Sequence, residues 1–437
     1  MKKYYCIGIK GTGMSTLAQI LSDLGNEVSG YDDATDYKFT QEGLESRGIP
    51  IYYDQNHELE KDTIVTYSVA FRKDHPEIKR VEELGLTIQK YNEIVGEIVD
   101  MFETIGVSGT HGKTTTSSLI RHLLEDSVGC NYFIGAGDGY VSKENKYFVI
   151  ESDEFNHHFL AYHPTYSVIT NIEKEHMECY QDLDDIRNTF EKFASQTKNS
   201  VVACGDNLEV RKINFPKEVT FYGFSEENDV VVKNVDLKED GSYFDLYIKG
   251  EFYDHFMVPL YGEHMVLNAT AAIIIGKNLG LDKEKMKESL KTFQNATRRM
   301  EESKVGNTII IDDYAHHPTE IKTIISSIRQ KYPDKKLTVV FKPNTYSRTK
   351  DFTNEFIDAL KEADKVFLTE IDSNREKQED YPGISSHLIT DEIENSEIIS
   401  EETIDKLLAY KDSVICFMSC ASVSHLMDQL KKVLTSN

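Results

Sequence analysis

The chain has 437 residues, more than a single hydrophobic core organises, so two or three domains are expected. Its 49 basic and 74 acidic side chains leave a formal charge of -25, spread along the sequence. That balance argues against a nucleic-acid partner and requires any anionic ligand to be held by a local positive site. No apolar run approaches the roughly 18 to 20 residues of a membrane span, and Met1–Tyr5 reads as the start of a strand rather than a signal peptide. Six cysteines without a C-x-x-C pair indicate neither a zinc site nor a disulfide framework. A cytoplasmic protein without a membrane partner is expected.

Residues 3–9 predict a buried strand, followed by the turn Gly8-Ile-Lys-Gly11-Thr-Gly13-Met14 and a helical apolar period through Leu24. A second strand, 28–32, ends in Asp32, about twenty residues past the glycines, where doubly wound folds bond a ribose. The spacing G-x-x-G-x-G is the reverse of the dinucleotide fingerprint and alone leaves a nucleotide-containing ligand and a merely tight turn equally open. Further alternation at 51–53, 63–67 and 86–88 completes a small α/β domain over residues 1–100.

An apolar run, 102–107, then meets Gly109-Thr110-His-Gly112-Lys113-Thr114-Thr115-Thr116 and a helix-forming segment that reaches Asp126. This is the layout of a phosphate-binding loop. Gly109 and Gly112 let the backbone curl until successive N–H groups face a polyphosphate, Lys113 brings an ammonium to the β/γ-phosphates and Thr114 a hydroxyl to Mg²⁺. The helix that follows adds its positive end. The loop is a short form, with Val107 where the longer G-x-x-x-x-G-K-[ST] pattern has its first glycine.

Strands at 147–151 and 166–170 end in Glu151-Ser-Asp-Glu154 and Asn171-Ile-Glu-Lys-Glu-His176. They deliver carboxylates and an imidazole to the sheet edge where open α/β folds bind ligands. Glu151 and His176 suit a metal that takes one or two protein ligands and completes its shell with water and phosphate, although each taken singly reads as an ordinary polar strand end. Residues 229–258 alternate with a turn at 238–241, which predicts an antiparallel sheet decorating this middle domain, 101–296. Gly262-Glu-His264-Met-Val-Leu-Asn268 opens a helix through Gly276.

The last third, 297–437, predicts another α/β domain. A strand at 308–313 runs into Tyr314-Ala-His316-His-Pro318, whose proline suits a helix's first turn. A strand at 337–341, a loop from Lys342 to Thr349, a helix, and strands at 365–369 and 413–418 follow.

In this order, the motifs 109–116, 171–177, 262–269, Arg298-Arg299 and Asp312-Asp313-Tyr314-Ala-His316-His-Pro318 resemble those of the Mur ligases over essentially the whole chain. The resemblance implies an α/β fold of three domains: a Rossmann-like N-terminal one for UDP-sugar, a central phosphate-loop one for ATP, and a Rossmann-like C-terminal one for the amino acid. Within the family, residues 8–14 and 312–318 point to the alanine-adding member or to the relative that recycles murein tripeptide. The implied activity is joining of L-alanine to the lactyl carboxylate of UDP-N-acetylmuramate, with ATP and Mg²⁺, through an acyl phosphate, in peptidoglycan precursor synthesis. By the same resemblance Lys113, Thr114 and the loop residues Thr110 and Thr115 serve the phosphates, with Thr114, Glu151 and His176 on the metal. His264 and Asn268 approach the adenine, Arg299 the phosphates and Asp313 the ribose. Tyr314, His316 and Arg348 face the reacting carboxylate and the amino acid, and Gly11, Gly13 and Asp32 lie along the UDP.

Two departures fall in the last domain: Pro343-Asn344 stands where relatives have Pro-His, and Ser419-Cys-Ala-Ser422 where they have a Gly-Ala-Gly-Asp loop. Lys192 lies close to the position that some members carbamylate but is not assigned that role. A ligase for another amino acid or a peptide, and a silent nucleotide-binding paralogue, remain open beside the alanine-adding reading.

Overall fold

The computed structural model describes residues 1–437 except 136, 178, 297, 374, 375 and 437. The first sheet contains β1 (Lys3–Ile7), β2 (Glu27–Tyr31), β3 (Ile51–Tyr52), β4 (Thr63–Tyr67) and β5 (Thr87–Ile88). Its strands are all parallel, in the order β3-β2-β1-β4-β5. The order reverses between β1 and β4, so a crevice opens at their carboxyl ends, where the Gly8–Gly13 turn leads into the helix Thr12–Asp23.

The second sheet contains β6 (Glu103–Ser108), β7 (Asn131–Ile134), β8 (Asp138–Tyr140), β9 (Tyr147–Glu151), β10 (Tyr166–Ile169), β11 (Ser200–Cys204), β12 (Glu218–Gly223), β13 (Val230–Lys238), β14 (Gly241–Ile248) and β15 (Glu251–Val258). Their order is β15-β14-β13-β12-β11-β10-β6-β9-β7-β8, with the run from β12 to β7 parallel. The expected decorating sheet is therefore the edge of the main one. Buried Val230, Val231 and Val232 continue the core while Tyr222 pairs in parallel with Val230, and two-residue loops then turn β13 into β14 and β14 into β15.

The third sheet contains β16 (Glu301–Val305), β17 (Thr308–Asp313), β18 (Leu337–Phe341), β19 (Lys365–Leu368), β20 (Ser396–Ile398) and β21 (Val414–Met418), ordered β16-β17-β21-β18-β19-β20. Only β16 runs antiparallel. Alternate strand residues feed two cores: Ile309, Ile311, Val339 and Phe341 on one face, Ile310, Val340, Phe367 and Ile415 on the other. Burial on both faces explains the unbroken apolar runs that made these strands readable.

By contact density the chain forms two compact units, one of Met1–Val235, Phe244–Val258 and Val266–Phe293, the other of Asp236–Tyr243, Pro259–Met265 and Gln294–Asn437. In the first unit one core runs from Leu17 and Ile94 through Phe148 and Ile169 to Phe193. Polar contacts lock the same junction: Gln19 Nε2 donates to the Gly137 carbonyl at 3.0 Å, and Arg47, paired with Asp23, donates to that of Gly139 at 3.0 Å. No described helix is long and apolar enough to cross a membrane.

Phe159 lies at the centre of that core, fully buried, stacked on Phe193 at 4.6 Å and edge-on to Phe190 at 5.3 Å. Phe159→Ala is expected to destabilise the first unit by about 3 to 5 kcal/mol. Urea unfolding followed by far-UV circular dichroism checks this, and an unchanged midpoint contradicts it.

Candidate active site

The parallel run of the second sheet places the carboxyl ends of β6, β9 and β10 on one edge, because Val107 pairs with Glu151 and Ser108 with Ile169. The phosphate loop, the 151–154 segment and the 171–176 segment therefore converge. Gly109 (φ 142°) and Gly112 (φ 82°) adopt conformations costly for other residues, and each admits a close neighbour. A Cβ at Gly109 would stand 2.0 Å from Thr170 Oγ1, and one at Gly112 would stand 2.8 Å from Asn268 Oδ1. Asn268 thus packs against the loop from the helix Glu263–Asn278.

The loop is braced by residues that the sequence quoted in a motif but gave no role. Asn171 accepts the His111 N–H at 2.8 Å and donates to its carbonyl at 2.9 Å, and Thr170 donates to that same carbonyl at 2.6 Å. Thr110 hydroxyl accepts from Glu173 N at 2.9 Å. A side-chain amide five residues before the expected metal ligand His176, on a neighbouring strand end, was the available signal.

Lys113 opens the helix Lys113–Glu125. Its ammonium bonds the Gly109 carbonyl at 2.6 Å and both oxygens of buried Glu154, at 2.9 and 3.1 Å. Burial opposes its charge, but Glu154 and Asp153 outweigh burial and hold the lysine above its ordinary pKa. Burial also pushes Glu154 up from the usual carboxylate range, against the pull of Lys113. Thr114 is half-buried at the second helical position and Thr115 is buried behind it.

Ligand atoms of Asp153, Glu154 and His176 lie within 4.8 Å of one another. His176 is held there in a left-handed conformation, φ 56°, which costs of order 1 kcal/mol. Glu151 ends β9 beside Gly135, whose missing side chain leaves its carboxylate room, since a Cβ there would stand 2.6 Å from Glu151 Oε2. The hard oxygens of this edge fit a small divalent cation. The tight grouping includes Asp153 and Glu154 with His176, where the sequence had singled out Glu151.

In the first sheet Gly11 precedes the helix Thr12–Asp23, and Gly13 lies within it where a Cβ would meet Tyr91 Oη at 2.8 Å. Asp32, nearly fully buried, spends its carboxylate on backbone, accepting Lys10 N at 2.9 Å and Ala34 N at 3.1 Å. It shapes the turn at the crevice.

The second unit has its own convergence at the adjacent ends of β17, β21 and β18. Asp313 accepts from Met300 N and Ala315 N, both at 2.8 Å, and burial pushes its carboxyl up to about 6. Tyr314 lies with its ring centroid 5.3 Å from the guanidinium of Arg299 and 5.4 Å from that of Arg298. His316 Nδ1 bonds the Tyr314 carbonyl at 3.0 Å and lies 3.3 Å from Glu320, which also accepts the His316 and His317 N–H groups. Arg348 is carried by the helix Tyr346–Asp351, which begins inside the stretch expected to be loop. His264, in the segment Pro259–Met265, has a buried Nε2 without a hydrogen-bond partner among the described residues, and burial pushes the imidazole down to about 4.

Three family models match the chain in succession: "Mur ligase family, catalytic domain" over residues 3–103, "Mur ligase middle domain" over 107–276 and "Mur ligase, glutamate ligase domain" over 298–419. Among solved structures, UDP-N-acetylmuramate-alanine ligase from Thermotoga maritima is similar over 100% of both chains, with 24% identity and a TM-score of 0.84. A murein peptide ligase from Psychrobacter arcticus matches 100% of this chain and 99% of its own, at 21% identity and a TM-score of 0.73. MurF ligase from Thermotoga maritima, solved with ADP, matches 94% and 95% at 17% identity and a TM-score of 0.66. At these identities the likeness to solved structures speaks for the fold.

His264 makes a prediction about pH. Its folded pKa of about 4 lies below the ordinary 6.5, so on acidification the unfolded chain takes the proton first. Its contribution to stability is full above about pH 6.5 and is lost as the pH falls toward 4. His264→Gln is expected to lose less thermal stability between pH 7 and pH 5 than the parent. Parallel melting profiles for the two proteins contradict the assignment.

Proposed function

The chain belongs to the Mur ligase family, whose members are ATP-dependent ligases, and from that premise we propose that it joins L-alanine to the lactyl carboxylate of UDP-N-acetylmuramate, forming ADP and phosphate. The observation that carries this reading is the braced phosphate loop of the family's middle domain, with Lys113 and an oxygen-rich edge beside it. Localisation in the cytoplasm and a place in peptidoglycan precursor synthesis belong to the same proposal, as do domains at 1–100, 101–296 and 297–437.

The chemistry explains the parts. A carboxylate is a poor acyl donor because its leaving group is oxide. Transfer of the γ-phosphoryl group to a carboxylate oxygen gives an acyl phosphate and ADP, and attack by the amine then forms the amide and expels phosphate. Gly109, Thr110, Gly112 and Thr115 shape the loop whose backbone faces the phosphates, and the Lys113 ammonium moves from Glu154 to the transferring group. Bound Mg²⁺ neutralises phosphate charge, and Thr114, Glu151 and His176, with Asp153 and Glu154 beside His176, are the residues to hold it. His264 and Asn268 are each assigned to the adenine from the family pattern. Arg299 and Asp313 are assigned to phosphate and ribose from the family pattern. Arg348 takes the acceptor's carboxylate, a pairing suited to a guanidinium fork. Tyr314 positions the reactants, and a neutral His316 accepts the ammonium proton. Gly11, Gly13 and Asp32 form the turn for the UDP moiety.

Lys113→Ala is expected to lower turnover by at least about a hundredfold while leaving the circular dichroism spectrum unchanged. Phosphate release with ATP, Mg²⁺, UDP-N-acetylmuramate and a panel of amino acids and short peptides tests both points. Near-normal turnover by the soluble variant refutes the role of Lys113. Preference for a tripeptide moves the protein to the peptide-recycling branch, and binding of ATP and UDP-sugar without turnover identifies a silent paralogue.

A further inference from the structure

A single glutamine joins stretches that lie far apart in sequence. Gln330 is the penultimate residue of the helix Pro318–Lys331. Its Oε1 accepts the Gly262 N–H at 2.7 Å, and its Nε2 donates to the Lys238 carbonyl at 2.9 Å and to that of Gly241 at 3.2 Å, in the turn between β13 and β14. The oxygen meets a donor and the nitrogen two acceptors, so one orientation of the carboxamide satisfies all of them. Ser327 is fully buried one turn earlier on the same helix face. Its hydroxyl lies 2.8 Å from the Tyr261 carbonyl and 2.9 Å from that of Thr323, and shares its proton between them. The Tyr261 carbonyl and the Gly262 N–H belong to one peptide unit. Two side chains of one helix therefore hold both polar groups of that peptide.

The clamped peptide is the seat of His264. Gly262 has φ 96°, and a Cβ there would stand 2.7 Å from both His264 Cε1 and Nδ1 and 3.0 Å from Ser327 Oγ. The imidazole thus packs directly on the peptide that the helix holds. The chain before it is fastened as well: Ser242 Oγ donates to the Leu260 carbonyl at 2.7 Å, and Lys331, paired with Glu302 at 2.5 Å, lies 4.7 Å from the centroid of the Tyr261 ring. All of these residues, in Asp236–Tyr243, Pro259–Met265 and Gln294–Asn437, belong to the second compact unit. The same helix begins at Pro318, directly after the Tyr314–His317 motif.

We infer that Gln330 and Ser327 are positioning residues for the nucleotide: by clamping the 261–262 peptide they fix the His264 imidazole, so that a helix of the second unit sets how tightly the adenine is held. This rests on the reading of His264 as an adenine contact. The test titrates ADP with Mg²⁺ into the full chain by calorimetry, which needs no turnover. The proteins are the parent, Gln330→Ala, His264→Ala, the double variant Gln330→Ala/His264→Ala, and Lys322→Ala at an exposed position of the same helix. Gln330→Ala and His264→Ala are each expected to weaken ADP by about tenfold, the scale of one lost buried hydrogen bond. The affinity for UDP-N-acetylmuramate does not move, and Lys322→Ala changes neither ligand. Because the glutamine acts through the imidazole, the double variant binds ADP no more weakly than His264→Ala. Parent affinity in Gln330→Ala beside a weakened His264→Ala overturns the inference alone, as do additive losses in the double variant or an equal loss of UDP-N-acetylmuramate binding. Parent affinity in His264→Ala refutes the adenine contact itself, and the inference falls with it.

A second measurement reads the clamp directly. In Gln330→Ala, amide hydrogen exchange in peptides covering 236–243 and 259–265 is expected to speed up by about tenfold, while the helix Lys113–Glu125 keeps its parent rate. Parent exchange rates at 259–265 in this variant overturn the inference.

Discussion

Parallel pairing is the constraint on which the rest of the molecule depends. In a parallel sheet every strand delivers its carboxyl end to the same edge, so residues far apart in sequence are gathered without any long loop. The pairing of Val107 with Glu151 and of Ser108 with Ile169 is what brings residues 109–116, 151–154 and 171–176 together. The same rule, through β17, β21 and β18, gathers Asp313, Asn344 and Cys420 in the other unit. A one-residue slip would turn each side chain to the opposite face, and the apolar cores on both faces oppose such a slip.

On this frame the phosphate loop is a strained object held by its neighbours. Gly109 and Gly112 take conformations that other residues resist, and the loop is fixed by Asn171 and Thr170 from the next strand end. The Lys113 ammonium is already desolvated and already paired. Exchange of its Glu154 partner for a phosphate oxygen therefore replaces one anion with another and does not bury a new charge, which favours a site arranged before substrate arrives.

Much of this was legible in the sequence, for identifiable reasons. Strands such as Tyr147–Glu151, Thr308–Asp313 and Leu337–Phe341 stood out because strands buried on both faces are largely continuous apolar runs. The 230–258 strands were found but given a sheet of their own, because alternation reveals a strand and not its neighbour. The short helix at Tyr346–Asp351 was hidden by its polar composition and the proline before it. At the site, glycines and Lys113 were readable from local spacing, whereas the bracing by Asn171, the pairing of Lys113 with Glu154 and the grip of Arg298 on residues 419–421 arise only when strands become neighbours. Asp32 was read from its place after β2 as a residue along the UDP, and its carboxylate accepts two backbone amides, a partnership that spacing alone does not show.

The account's central claim is that a carboxylate is activated by phosphoryl transfer and then captured by an amine. The most direct measurement uses UDP-N-acetylmuramate carrying ¹⁸O in its lactyl carboxylate, with ATP, Mg²⁺ and L-alanine, and mass analysis of the inorganic phosphate released. Attack on an acyl phosphate leaves one carboxylate oxygen on the departing phosphate, so the account predicts one ¹⁸O per phosphate in step with amide formation. Unlabelled phosphate, released by water attack on ATP, would contradict it.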